Sequence, residues 1–348
     1  MKGTKVSTII AFASIFVIIA GIIFAAPIIN LFLMAMFMGI ILLQPIRWLQ
    51  SKKVPQGLAV ILVFISVLVL FVSFGKIINN SISSITKDIP RYHENFEKME
   101  ENLVVFLNEK GINVTLETLQ SKVSRSKLIE LSTGVLTKLG SVAGRTITIL
   151  FLMLFLLFEK TSLGVKFKAI TKSTKVPITY LRSTGKSIRH YLAIKTITSL
   201  LTGLLIWIFL SIIGLEHALL WGLIAFLLNY IPSIGSFVAA APAILFAIVT
   251  LDSTGIIWVI VVFLAVNVIV GSFIEPKVMG KGLGISTFVV FAGLFFWGFL
   301  LGTAGMFLSV PLTMAIKALL ELNENTRWMA VLLGTGDDAE KIMRGEVK

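Results

Sequence analysis

Two long apolar runs between Trp221 and Leu320 are interrupted in their middles by Pro and Gly, not merely bounded by them. The first holds Asn229-Tyr230-Ile231-Pro232-Ser233-Ile234-Gly235, and the second holds Gly298, Gly302 and Gly305. Crossing a hydrocarbon core of roughly 30 Å takes about 20 apolar residues at helical rise, and each half falls short of that. The halves predict helical hairpins that turn inside a membrane. Unwound backbone at that depth exposes N–H and C=O groups, which protein, water or a solute must satisfy. Broken helices therefore point to a transport site.

Composition agrees with a lipid environment. Of 348 residues 56% are hydrophobic and only 14% charged, with a mean hydropathy of +0.95, values that exclude an ordinary soluble globule. The apolar run Thr8 to Ala26 is long enough to span and lacks a clear cleavage pattern, so it reads as a retained first helix. The formal charge of +13 would indicate nucleic acid in a soluble protein. Here the excess lies in membrane-flanking segments, where basic residues set topology and meet anionic head groups, and nucleic acid is not expected as a partner. The chain has no Cys, and its three His, at 93, 190 and 217, lack metal-ligand spacing.

In order, Thr8 to Ala26 and Ile28 to Ile46 read as two spans joined by a tight turn at Pro27, and Gln56 to Gly75 as a third. Lys2 and Lys5 before the pair, with Arg47, Lys52 and Lys53 after it, put both ends in the cytoplasm. Residues 76 to 145 mix 10 basic with 8 acidic residues and lose the long apolar runs. They read as an outward-facing helical insert. Tyr92, Phe96, Met99, Leu103 and Phe106 give it one apolar helical face, which packs either a second insert helix or a neighbouring subunit. Gly111 is the expected stop. Val142 to Phe158 returns inward.

Eight basic residues, Lys160, Lys166, Lys168, Lys172, Lys175, Arg182, Lys186 and Arg189, then face only Glu159. This is the strongest topological signal in the chain and marks the stretch as cytoplasmic, partly as amphipathic helix on the membrane surface. Tyr191 to Ile213 crosses outward, the Pro232 hairpin turns back, and Ile256 to Ile274 crosses inward. The second hairpin, turning at the 298 to 305 glycines, leaves the tail in the cytoplasm. The fold class is thus all-α: a polytopic transmembrane helical protein with two re-entrant or broken helical hairpins and an extramembrane helical insert. Its segments are N-terminal transmembrane helices (1–78), the extracytoplasmic insert (79–140), a transmembrane helix with a basic loop (141–190), the motif-bearing core (191–320) and a cytoplasmic tail (321–348).

Candidate path residues follow from the breaks. Pro232 removes a donor and frees a carbonyl upstream, while Asn229, Tyr230, Ser233 and Gly235 place polar groups and exposed N–H groups at the turn. These either contact a solute or mark a structural kink. Asn267, an amide in an apolar span, needs a partner from another helix or a solute. Gly302, Thr303 and Gly305 form the second turn or a close helix contact. Glu275 either couples a proton or monovalent cation, or is an interfacial carboxylate paired with Lys277 or Lys281. No nucleotide loop, catalytic triad or metal cluster stands out, so neither an enzyme nor a cofactor is expected.

Three motifs resemble one family: Asn229 to Gly235 with Pro242, Glu275-Pro276-Lys277-Val278-Met279-Gly280 with Leu283, and Gly302-Thr303-Ala304-Gly305 leading to Val310-Pro311. Their order and spacing over about a hundred residues are similar to the autoinducer-2 exporter superfamily of bacterial permeases. Relatives often carry an aromatic residue at the position of Ser233 and Pro at those of Ser236 and Thr287. The resemblance implies a cytoplasmic-membrane transporter, homo-oligomeric and pentameric. Some relatives export the quorum-sensing signal autoinducer-2, and others are similar to sodium or lithium/proton antiporters. A non-transporting membrane scaffold is the reading from a different class.

Overall fold

The structure is a computed structural model that describes residues 2–88, 91, 101, 104–105, 108–109, 111, 143–174, 178–279 and 284–344. Every regular element among them is helical: α1 (Lys2–Ser51), α2 (Gln56–Lys87), α3 (Ala143–Thr174), α4 (Ile178–Ile213), α5 (Ala218–Leu228), α6 (Gly235–Thr250), α7 (Ser253–Val266), a π-helical segment (Asn267–Ile274), α8 (Glu275–Met279), α9 (Thr287–Glu321), α10 (Arg327–Leu333) and α11 (Gly336–Met343). Among the described residues, five helical stretches are long and apolar enough to cross a membrane, namely Phe16–Ser51, Gln56–Lys87, Ser183–Ile213, Ser253–Met279 and Thr287–Glu321. The chain divides into two compact units. One comprises 1–64, 145–193 and 279–348, the other 65–144 and 194–278.

The first unit corrects the expectation at Pro27. α1 is one helix of 50 residues that carries Pro27 and Pro45 inside it, a length of about 75 Å. An internal Pro removes one helical hydrogen bond and bends the rod, yet apolar residues on both sides leave the helix as the cheapest way to satisfy the remaining backbone. No turn forms there. Lys2 and Lys5 consequently stand at the opposite end of one helix from Arg47 and are not the near flank of a two-span hairpin. The basic stretch is likewise helical to Thr174 and again from Ile178, with no long loop. The apolar insert face formed by Tyr92, Phe96, Met99, Leu103 and Phe106 lies outside the described residues. Gly111 sits at φ 79° with its N–H on the Asn108 carbonyl, as a helix stop requires.

Within the first unit α9 does fold back. Gly302 has φ 64° and ψ −148° inside an otherwise helical run, a region essentially reserved for glycine. Past this break Trp297 Nε1 donates to Thr313 Oγ1 at 3.1 Å. Sixteen residues of unbroken helix would separate those two by about 24 Å, so the two arms are antiparallel. The Leu301 carbonyl, orphaned by the break, accepts from Asn30 Nδ2 of α1 at 2.9 Å. Protein meets the demand that the lipid cannot.

The second unit holds the other hairpin. α5 and α6 are too short to span alone, at 11 and 16 residues, and Trp221 on one arm meets Phe246 on the other with ring centroids 5.5 Å apart. Trp221, Ile224, Leu210 and Val259 are completely or nearly completely buried and form the middle of this unit's core. Three polar groups between the helices have structural roles. Asp252 caps α7 by accepting from Gly255 N at 2.9 Å, Glu216 pairs with Arg91, and His217 precedes α5 in a left-handed conformation with its ring 5.9 Å from that of Phe246.

Glycine fixes both turns for the same reason. A Cβ on Gly235 would stand 1.8 Å from the Leu228 carbonyl oxygen, and one on Gly305 would stand 2.0 Å from that of Trp297. Gly235→Ala and Gly305→Ala are therefore expected to lower the melting temperature of purified protein sharply or abolish folded yield. Gly75→Ala, whose Cβ meets nothing within 4 Å, should leave melting unchanged or raise it slightly through helix propensity.

Candidate functional site

The polar groups of the second unit gather on one helix. α4 carries Lys195, Thr196, Thr198, Ser199 and Thr202 in an otherwise apolar setting, and of these Lys195, Thr198, Ser199 and Thr202 are buried. Residues spaced by three, four and seven share a helix face, so this is a continuous polar seam. Buried polar groups need partners, and the seam finds them partly within its own helix. The Thr198 hydroxyl donates to the Lys195 carbonyl at 3.2 Å and the Thr202 hydroxyl to the Thr198 carbonyl at 2.9 Å.

Three further bonds come from the first hairpin. Asn229 Nδ2 donates to Ser199 Oγ at 3.0 Å, Ser236 Oγ donates to Asn229 Oδ1 at 3.1 Å, and the Tyr230 hydroxyl bonds Thr196 Oγ1 at 2.9 Å. Asn229 thus links both arms of the hairpin to α4. One turn further along, glycine again allows contact. The Cβ that Gly203 or Gly222 lacks would lie 2.7 Å from the carbonyl oxygen of the other residue, so α4 and α5 touch backbone to backbone.

At the turn itself the main chain is more satisfied than its sequence implies. The carbonyl four residues before Pro232, that of Leu228, accepts from Ile231 N at 2.9 Å, and Gly235 N donates to the Ile231 carbonyl at 3.3 Å. Ser233 projects from the turn, exposed, with φ 59°. That left-handed conformation is uncommon for a non-glycine residue, and the Ser233 side chain makes no hydrogen bond among the described residues.

Glu275 is not paired as its neighbours suggested. Both its carboxylate oxygens accept from Lys195 Nζ, at 2.8 and 2.9 Å, with the side chains 17% and 5% exposed respectively. The pairing with Lys277 is corrected, and Lys281 lies outside the described residues. Position decides the matter: Glu275 faces back into its own unit, where Lys195 waits on the seam, while Lys277 lies exposed two residues on. Lys195 escaped sequence reasoning although it carried a signal, the one charge in the apolar stretch from Tyr191 to Ile213.

Asn267 opens the π-helical segment that ends at Ile274, next to Glu275, and its side chain makes no hydrogen bond among the described residues. The backbone N–H of Glu275 reaches the Val270 carbonyl, five residues back. Pi-helical turns within α-helices are rare and recur at functional sites. The structure thus joins Asn229, Tyr230 and Glu275 to one helical seam, with Pro232, Ser233 and Gly235 on the adjoining turn. Gly302 and Thr303, both exposed, and buried Gly305 belong to the first unit's hairpin.

A multi-pass helical membrane protein with two discontinuous helices and a buried polar seam is the class these features define. Residues 12–324 match the model of the AI-2E family transporters. The chain is 34% identical over 333 residues to the AI-2 transport protein TqsA of Escherichia coli, covering 96% of each. It is 37% identical over 338 residues to a Haemophilus influenzae protein whose name assigns it provisionally to transport, covering 95% of this chain and 97% of that one. Escherichia coli YhhT, named in the same provisional way, is 31% identical over 333 residues, 96% of this chain and 95% of its own. The chain belongs to the AI-2E transporter family.

The seam predicts an asymmetry among its hydroxyls. Ser199→Ala strands a buried amide donor of Asn229 and should cost about 1–3 kcal/mol. Ser211→Ala, which removes an exposed hydroxyl bonded within its own helix, should stay within about 0.5 kcal/mol of wild type. Denaturant or thermal unfolding of the two variants in the same detergent checks this.

Proposed function

We propose that the chain is a secondary permease of the cytoplasmic membrane that exports a small polar solute, autoinducer-2 or a close chemical relative. The observation that carries this reading is the cluster of neutral polar groups at the first helix break, where Asn229, Tyr230, Ser236, Thr196 and Ser199 form a hydrogen-bonded set. Such groups suit a solute rich in hydroxyl and carbonyl oxygen, which exchanges bonds with them at little electrostatic cost. Likeness to TqsA, named an AI-2 transport protein, supports the same solute class. Ser233 at the turn is the proposed entry contact, with Pro232, Gly235 and Asn267 shaping its surroundings. Gly302, Thr303 and Gly305 form the corresponding turn of the second hairpin.

A second reading, sodium or lithium/proton antiport, is favoured by the buried Lys195–Glu275 pair. Ionisable side chains inside membrane helices are costly, and pairs of them recur along ion pathways and proton relays. In either case the segment from Lys160 to Arg189 and the C-terminal tail face the cytoplasm. The N-terminus, at the far end of α1 from Arg47, lies on the opposite face when that helix crosses once. Lipid-facing residues such as Phe24, Ile212 and Phe288, 90%, 75% and 78% exposed, leave room for the homo-oligomer, a pentamer, that the resemblance implies.

Reconstituted vesicles separate the readings. Autoinducer-2 efflux should exceed that of protein-free vesicles and fall several-fold in Ser233→Gly, which loses the hydroxyl while accepting φ 59° without strain. Efflux equal to that of protein-free vesicles contradicts the first reading. Sodium- or lithium-driven proton movement, lost in Glu275→Gln, identifies the second.

A further inference from the structure

The contact between Lys195 and Glu275 has the form of an occupied ion site. One nitrogen lies within 2.9 Å of both carboxylate oxygens, so the ammonium occupies the place that a chelated metal ion would take between them. Lysine presents a compact, strongly hydrated point charge on a flexible stem, unlike the planar fork of arginine. It can leave that place without the backbone moving. The donor itself is hard oxygen: the carboxylate of Glu275, just past the π-helical segment that ends at Ile274, is the kind of ligand that binds hard cations.

We propose that Lys195 Nζ is a tethered stand-in for a monovalent metal cation, and that the Glu275 carboxylate is the sodium- or lithium-class site from which it is displaced. This deepens the antiport reading and rests on it for its physiological meaning, while its test reads binding and not flux. Lys195 is then a specificity-determining residue: a cation enters only when its interaction with Glu275 exceeds that of the built-in ammonium. Removing the ammonium should expose the site to cations from solution.

The variant Lys195→Gln keeps the side chain's approximate length and polarity while removing its charge. Its melting temperature in lipid nanodiscs should be higher in sodium or lithium chloride than in choline chloride of equal ionic strength. Above the dissociation constant it should climb by about 1–3 °C for each tenfold rise in concentration. The doubly neutral K195Q/E275Q variant should melt alike in all three salts. The proposal is overturned if Lys195→Gln melts alike in sodium, lithium and choline, or if the sodium response survives in the double variant. Failure of Lys195→Gln to fold in sodium or lithium, with the double variant folding, overturns it too, because the exposed carboxylate is then not neutralised by a cation. Wild-type vesicles that move no protons against sodium would end the antiport reading and leave a cation response of Lys195→Gln intact.

Discussion

Both hairpins depend on backbone-to-backbone contact at their turns. At Gly235 and again at Gly305, the arm of a hairpin passes so close to the preceding arm that a carbonyl oxygen occupies the space of a Cβ. Lipid offers no hydrophobic force between helices, so close packing and hydrogen bonds must hold such arms together. Both means are present. Glycine brings the arms together, and a side chain ties each turn to another helix: Asn229 to Ser199 in one unit, and Asn30 to the Leu301 carbonyl in the other.

The turns thereby acquire different chemistry. At the second, a single amide satisfies the carbonyl that Gly302 releases. At the first, the main chain largely satisfies itself through the Leu228 and Ile231 carbonyls, and side chains carry the polarity instead. They converge on α4, a helix whose hydroxyls and one buried ammonium form a stripe through apolar surroundings. Lys195 and Glu275 lie at one end of the stripe, beside the π-helical segment that delivers the carboxylate. Neutral polar groups and a charged pair are thus neighbours along one helix face. The proposed permease would use both through the same helix, α4.

Much of this was legible in the chain, because glycine and proline inside apolar runs leave few alternatives within lipid. The hairpins, the all-helical class and the family could be read from Asn229 to Gly235, Glu275 to Gly280 and Gly302 to Gly305. Pro27 misled for a physical reason: a proline bends a helix and does not oblige it to turn, and no glycine or polar cluster accompanies it. Glu275 stood out in the sequence as a charge beside an apolar span, yet its partner lies 80 residues earlier. Neighbours in sequence are poor guides to pairing when a helix face, not a loop, supplies the opposite charge. The seam on α4 was visible as Lys195, Thr196, Thr198, Ser199 and Thr202. It drew no notice because threonine and serine bond their own helix and so pass unremarked in membrane spans.

Whether the broken helices truly return on themselves is open to one direct distance measurement. The chain has no cysteine, so single labels can be placed cleanly at Phe288 and Leu319, which are 78% and 61% exposed near the two ends of α9. Pulsed electron spin resonance in lipid nanodiscs should give a label separation under roughly 25 Å, as two packed antiparallel arms require. A separation near the roughly 46 Å of an unbroken helix would contradict the account.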